Sequence, residues 1–330
     1  MRSSRFIITL LLAIAPGWVV ADNLNQPYSS SNRNPFVQIY GLPAAQSAQL
    51  TSVDQQQFGL QWELSNNFTK SSVANEAIFI DGESNRINLQ WRYGLRQRWE
   101  VGVDLPLLSH DSGSLDQFIE DWHDIWGLPD GDRPAYPRDK LRYSYQRDSQ
   151  LLTDVDGSAN GIGDLSFNAA YQLAESADRQ WALRSALKLP TGDADKLLGS
   201  ESTDLSLALH VSDQSLLQDY QLSFHVSAGL LWMDGGEVMT ELREDIVVYG
   251  SSTLSWQFSN SVSLKVQLDG HSAFYDSSLT ELGDDSAQLI IGGAIRLSPR
   301  WVLDLAVIED VAVNTAPDVV FHIGLKAAQF

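Results

Sequence analysis

Apolar and polar residues alternate one by one through most of this chain, and a period of two commits it to strands with one face in an apolar medium. The clearest stretch is Arg86 to Leu95, where Ile87, Leu89, Trp91, Tyr93 and Leu95 point one way and Arg86, Asn88, Gln90 and Arg92 the other. A soluble core does not normally accept the second set. Phe58–Phe68 repeats the pattern. It continues at Trp99–Leu107, Asp164–Leu173, Trp181–Leu189, Thr203–Val211, Tyr220–Leu230, Ile246–Trp256, Val262–Gly270, Ala287–Leu297, Trp301–Glu309 and Val319–Lys326. These are about twelve segments of roughly nine to thirteen residues, the length a strand tilted by about 45° needs to cross the hydrocarbon layer, and the even number bacterial barrels have.

The connections separate a barrel from a soluble sandwich. Those near Arg96–Arg98, Glu175–Arg179, Asp213–Gln218, Asn260 and Ser298–Arg300 are short. Those at Thr69–Asn85, Leu108–Gly163, Thr191–Ser202, Asp234–Asp245, His271–Asp285 and Asp310–Pro317 are longer, and the two kinds alternate strictly. Short periplasmic turns alternating with long external loops are the layout of an outer-membrane barrel, which puts both termini in the periplasm. In lipid every backbone amide needs an internal partner, so such a sheet must close. Phe58, Trp91, Tyr93, Trp99, Tyr171, Trp181, Tyr220, Trp256 and Trp301 sit near the short turns, as an interfacial aromatic girdle would, whereas Tyr249 and Phe274 lie toward the other side. The predicted fold is an all-β, antiparallel transmembrane barrel of about twelve strands, with a short helix in one long external loop.

Arg2 and Arg5 precede an apolar run from Phe6 to Ala15, and Val19-Val20-Ala21 fits a small-residue cleavage site, so residues 1–21 read as a secretory signal peptide. Residues 22–57 are left as an N-terminal periplasmic segment, and 58–330 as the barrel, with 108–163 its long external loop. There is no cysteine, hence neither a lipid-attachment site nor a disulfide framework. The formal net charge is −20, from 22 basic and 42 acidic residues, which argues against nucleic acid as a partner. The acids gather between the strands, where solvated loops are expected.

Strand phase directs Glu63, Arg86, Arg92, Asp104, Arg184, Lys188, His225, Lys265, Asp269, Arg296, Asp304 and His322 into the lumen, with Asn168, Asp204, His210 and Lys326 beside them. Charges of both signs there either pair across strands or line a polar path for solute. The 108–163 loop holds the one helical pattern, Leu115, Phe118, Ile119, Trp122 and Trp126, with Ser114 as cap. Phe118, Trp122, His123 and Trp126 are thus candidates for a lid over the mouth, or for packing on the rim. His225 with Ser227, and His210 with Ser212, each put an imidazole and a hydroxyl on one strand face, as an outer-membrane lipid esterase does. Their inward phase, away from lipid, argues against that chemistry. Asp154-Val155-Asp156-Gly157 hints at calcium but lacks the twelfth-position Glu, Leu165 standing there, and reads as a turn. Neither a metal nor a cofactor is indicated.

Three stretches, Asn34-Pro35-Phe36 with Gly41-Leu42-Pro43, Trp122-His123 with Gly127-Leu128-Pro129 and Arg133, and Gly161-Ile162-Gly163-Asp164 with Leu189-Pro190-Thr191-Gly192-Asp193, resemble an uncharacterised family of proteobacterial outer-membrane barrels. The last pair is also similar to a related family, the meta-pathway phenol-degradation outer-membrane proteins. The resemblance spans nearly the whole mature chain, implies the fold and the location, and carries no catalytic residue. One departure is that Phe330 is out of step with the outward phase Val319, Phe321, Ile323, Leu325, which calls for a bulge near Lys326–Ala328 or a different assembly signal. The sequence favours a narrow channel or transporter for an unidentified small solute, with outer-membrane lipids and the barrel-assembly machinery as partners. A closed structural or surface-interaction barrel is the alternative, and a lipid hydrolase the remote one.

Overall fold

The computed structural model describes residues 24–118, 120–121, 135–176, 178–312 and 315–327. Twelve strands close into one antiparallel barrel: β1 (Gln56–Val73), β2 (Glu76–Arg96), β3 (Trp99–Asp111), β7 (Leu165–Glu175), β8 (Arg179–Leu189), β9 (Ser202–Leu217), β10 (Leu222–Gly235), β11 (Ile246–Ser259), β12 (Val262–His271), β13 (Ser286–Ser298), β14 (Trp301–Ala312) and β15 (Val319–Ala327). Each pairs with its neighbour in sequence order. The seam is β1 against β15, in register from Gly59 opposite Lys326 to Asn66 opposite Val319. Three shorter strands, β4 (Arg142–Arg147), β5 (Gln150–Val155) and β6 (Ala159–Ile162), belong to the long loop; β4 continues the sheet on the upper part of β2 and β6 on the end of β3.

Alternation sorts the side chains as the sequence requires. Leu60, Trp62, Ile87, Leu89, Phe167, Leu187, Leu205, Leu207, Val266, Leu268 and Ile291 stand exposed on the outside, while Glu63, Arg92, Lys188, Asp204, Lys265 and Asp304 are buried within. A continuous apolar belt of this kind is a lipid-facing surface, since water-soluble chains avoid large apolar patches. Phe58, Trp99, Trp181 and Trp256 lie on the same outer face near the short turns. Among the described residues no helix is long and apolar enough to cross a membrane.

The interior is not open. Residues 24–52, expected to hang outside as a periplasmic segment, run through the lumen as a plug. Leu24 packs on Ala294 and Val302 by the short turns, and Tyr28 on Ile290, Ile308 and Val320 at mid-height. The chain then turns over at Asn34–Tyr40 under the long loops. Asn34 shapes this turn: its side chain accepts from the Phe36 amide at 2.9 Å, and its carbonyl from the amides of Val37 and Gln38 at 2.9 Å each. The returning arm descends along β9, β8 and β3 and joins the wall at a bridge between Val53 and Gly94. A Cβ on Gly94 would lie 2.0 Å from the Ser52 carbonyl oxygen, so only glycine lets the two backbones meet.

The turn at the plug's tip sits in an apolar core formed with the loops: Phe36, Ile39 and Tyr40 with Ile78, Ile80, Tyr143, Tyr145, Leu197, Met239, Phe274, Tyr275 and Leu279. Burying Phe36 and Ile39 contributes about 1.5–3 kcal/mol each. The Tyr275 hydroxyl donates to the Phe36 carbonyl at 2.8 Å and lies 3.2 Å from the Tyr40 hydroxyl. Burial holds both phenols protonated far above their ordinary range.

Three loop expectations need correction. The 69–85 connection is not a loop: β1 and β2 remain paired up to Val73 opposite Glu76, around a tight turn in which Ala74 takes a positive φ of 52°. Its acids are not solvated either. Glu76, Asp81 and Glu83 are buried; Glu76 accepts from the Tyr145 and Ser277 hydroxyls, and Glu83 from the amides of Ser114 and Leu115 at 2.8 and 2.6 Å. Finally, Phe118 is no lid over the mouth. Its ring lies 6.1 Å from that of Phe321, an outward residue of β15, so this part of the loop packs on the outside of the rim. Residues 116–118 and 120–121 are helical as expected, whereas Trp122, His123 and Trp126 lie outside the described residues. So does Phe330, and β15 stays in register with β14 from Val320 to Ala327 without a bulge.

Candidate functional site: the plug and the charged wall

The wall grips the plug through polar side chains at intervals along both arms. On the ascending arm Ser263 donates to the Asn25 side chain at 2.8 Å, and Lys265 and Lys326 donate to the carbonyls of Gln26 and Pro27 at 2.9 and 2.7 Å. The Tyr28 amide donates to Gln267 at 2.9 Å, and Asn32 bonds His271, Ser286 and the Thr315 carbonyl. On the descending arm the Gly41 amide donates to Asp204 at 2.7 Å and the Ala48 amide to Ser212 at 2.9 Å. Below these, the Thr51 amide donates to Glu100 at 2.6 Å. Buried backbone groups need partners, and a segment without strand or helix finds them in the wall.

Most of the predicted lumen charges are paired. Glu63 takes Arg33 of the plug and, at 2.9 Å, His322. Arg92 grips Asp104 in a bidentate fork of 2.7 and 3.0 Å, with Asn168 donating to the same carboxylate. Arg184 bonds Glu100 at 2.6 Å and two plug carbonyls, those of Ser47 and Gln49. Lys188 lies between Asp164 at 2.5 Å and Asp204 at 3.2 Å, and Asp304 takes Lys265 at 2.6 Å and Lys326 at 2.9 Å. Asp269 is held by the Gln267 amide, and Arg296 stands inward on β13 beside the short turn. Arg86 differs. The bond it makes is a long one, 3.4 Å to the Gln38 carbonyl, and its Nε has no partner.

Of the His and Ser candidates, His210 and Ser212 serve the plug as well, and Ser227 bonds Ser251 of the neighbouring strand at 2.7 Å. His225 Nδ1 lies 2.8 Å from Ser212 Oγ, not bonded to Ser227, and Ser212 is already engaged by Ser47 and the Ala48 amide. His210 donates from Nδ1 to the Gln46 carbonyl at 3.0 Å. Asp154 is tied to Arg142 on the neighbouring β4 at 2.9 Å, in keeping with a structural role for that acidic run.

The Gly161–Asp164 and Leu189–Asp193 stretches meet at Asp164. Its carboxylate accepts from the amides of Thr191, Gly192 and Ser200 at 2.9, 2.8 and 3.1 Å, besides Lys188. Gly192 and Gly199 come so close there that a Cβ on Gly192 would lie 2.8 Å from the Gly199 Cα. These residues lock the β8–β9 loop against the end of β7.

Among the described residues, chambers lie between the plug and the wall formed by β1, β2, β3, β7 and β8. One, of about 70 Å³, is lined by both plug arms with Arg86, Asn88, Asp104, Asp164 and Lys188. The other, of about 80 Å³, lies nearer the short turns beside Arg92, Glu100, Arg184 and Lys326. They share Ser29, Gln46 and Gln90, so they form a polar file along one side of the plug. A smaller space of about 20 Å³ lies on the other side, by Asp269 and His271. The plug residues lining these spaces were not foreseen as functional; the signal was the Asn34-Pro35-Phe36 and Gly41-Leu42-Pro43 motif, which forms the tip.

The family described as protein of unknown function (DUF3187) matches residues 4–328. No curated protein matches the sequence. Among solved structures, the COG4313 outer membrane channel from Pseudomonas putida F1 is similar with a TM-score of 0.55 at 14% identity, over 86% of this chain and 98% of that one. The NanC porin gives a TM-score of 0.48 at 7% identity, over 82% and 99%. The first of these likenesses bears out the outer-membrane barrel fold.

Proposed function

Because the chain belongs to the DUF3187 family, whose description names no activity, we propose its role from the interior: a narrow outer-membrane channel for a small solute, obstructed by its own N-terminal plug. The observation that carries this reading is the polar file beside the plug. A barrel with a purely structural interior would pack this region, since voids forfeit contact energy. Here the plug's arms are held chiefly by hydrogen bonds, each contributing about 0.5–1.5 kcal/mol net, with the Arg33–Glu63 ion pair and the small contacts of Leu24 and Tyr28 beside them, while the largest apolar anchorage is at the tip. Such a segment can shift within the lumen while the wall stays intact. The membrane that goes with this role is the bacterial outer membrane, with short turns and both termini on the periplasmic side. The apolar belt and the unequal lengths of the connections support that placement. The solute on this reading is a small polar or charged molecule; the resemblance of Gly161–Asp164 and Leu189–Asp193 to the meta-pathway phenol-degradation proteins makes a phenolic compound a second class to try.

Planar-bilayer recordings test the reading. The intact protein should conduct weakly, and a variant lacking residues 24–52 should conduct several-fold more. Absence of conductance from both would end it. The second reading, a closed structural barrel, draws on the dense pairing of interior charges; it predicts that removing the plug destabilises the barrel without opening it.

A further inference from the structure

We propose that the chamber between plug and wall is a binding site for a short aliphatic monocarboxylate, held between Arg86 of β2 and Gln38 of the plug. Desolvating a guanidinium without a carboxylate partner is costly, which is why interior arginines elsewhere in this barrel, Arg33, Arg92 and Arg184, each have one. Among the described residues Arg86 has no ion-pair partner. It faces the chamber with Nε unpartnered, and beside it Gln38 is 4% exposed with both amide atoms unpartnered. The Asn88 side-chain oxygen, in the same lining, is also unpartnered. Three side chains in the lining of one space thus carry unused hydrogen-bonding capacity, which a change of rotamer would present to a polar ligand.

Charge and shape narrow the ligand. A guanidinium fork matches a planar carboxylate in two parallel bonds, and the Gln38 amide can donate to the same group. The other cations of the lining are committed, Arg33 to Glu63 and Lys188 to Asp164 and Asp204. Arg86 is thus the one cation of this lining without a carboxylate among the described residues, so a second negative charge on the ligand would go unmatched. The chamber's 70 Å³ corresponds to roughly five to seven water positions at 10–15 Å³ each, room for the five heavy atoms of propionate. Leu42, Pro106 and Leu198 offer an apolar surface for its short tail. A bound carboxylate would join wall to plug where the protein itself makes one long hydrogen bond.

The site rests on the chamber and not on passage of solute: binding without conductance would leave it standing, and conductance without binding would remove it. The test is calorimetric titration of the full-length protein in detergent with sodium propionate, against the neutral isostere propionamide at matched ionic strength. Propionate should bind at least about tenfold more tightly than propionamide, and Arg86→Gln should lose at least about tenfold in propionate affinity, as expected for a charge-assisted pair. Arg86→Gln removes an interior charge that has no carboxylate partner among the described residues, so it should fold, with heat-modifiable gel migration as the check. Gln38→Leu, on the plug, is the second variant and should weaken propionate alone. No propionate binding, equal binding of the two probes, or unchanged affinity in either folded variant would overturn the proposal.

Discussion

Arg33 of the plug and Glu63 of β1 form an ion pair with side chains only 6% and 2% exposed, and His322 of β15 bonds the other carboxylate oxygen at 2.9 Å. One buried carboxylate thus ties the plug to both strands of the seam. Removing either member alone leaves a buried charge unmatched, which typically costs about 3–5 kcal/mol. Arg33→Met and Glu63→Gln should each lower the urea midpoint of unfolding, followed by heat-modifiable gel mobility. Their combination should recover most of the loss. A double variant as unstable as the two single losses added together would show that the residues act separately.

Plug movement can be blocked covalently. The chain has no native cysteine, and Ser47 Oγ lies 3.1 Å from Ser212 Oγ. The pair Ser47→Cys and Ser212→Cys should therefore form a disulfide under oxidation. Oxidised protein should conduct less than the same protein after reduction. Equal conductance in the two states would mean that this arm of the plug does not move when solute passes.

Asp164 organises the β8–β9 loop through three backbone amides and Lys188. Asp164→Ala strands these donors in a buried site. A loss of about 2–5 kcal/mol is expected, measured as a fall in the urea midpoint. Protease should then cut within 190–201 before the barrel unfolds.

The belt makes a prediction of its own. Leu207 points outward from β9 and is 39% exposed. Leu207→Arg should lower folding stability in phospholipid vesicles by about 2–4 kcal/mol if the residue lies near the bilayer midplane. An unchanged folded fraction across a urea titration would argue that this face does not meet lipid.

The wall was legible in the sequence because its information is local. Residues such as Ile87, Leu89 and Trp91 declare their common face by spacing alone, and Arg86, Asn88 and Gln90 declare the opposite one. The same phase placed Glu63, Lys188, Lys265 and Asp304 inside. The plug was illegible because its partners are remote: Tyr28 meets Gln267, Asn32 meets His271 and Asn34 meets Thr315, each more than two hundred positions away. With no alternation and many small polar residues, the segment reads as an ordinary extension. Acids such as Glu76 and Glu83 misled for a related reason. Composition associates charge with solvent, whereas these carboxylates are buried acceptors for hydroxyls and amides contributed by other segments.

The position of the Glu63–His322 pairing also bears on assembly. The two residues face each other across the join between the first and the final strand, so His322 can arrive only when the cylinder is completed. Arg33 lies only thirty residues before Glu63, so both are made long before His322. The threaded segment and the staves around it therefore finish together, with a single carboxylate as the clasp.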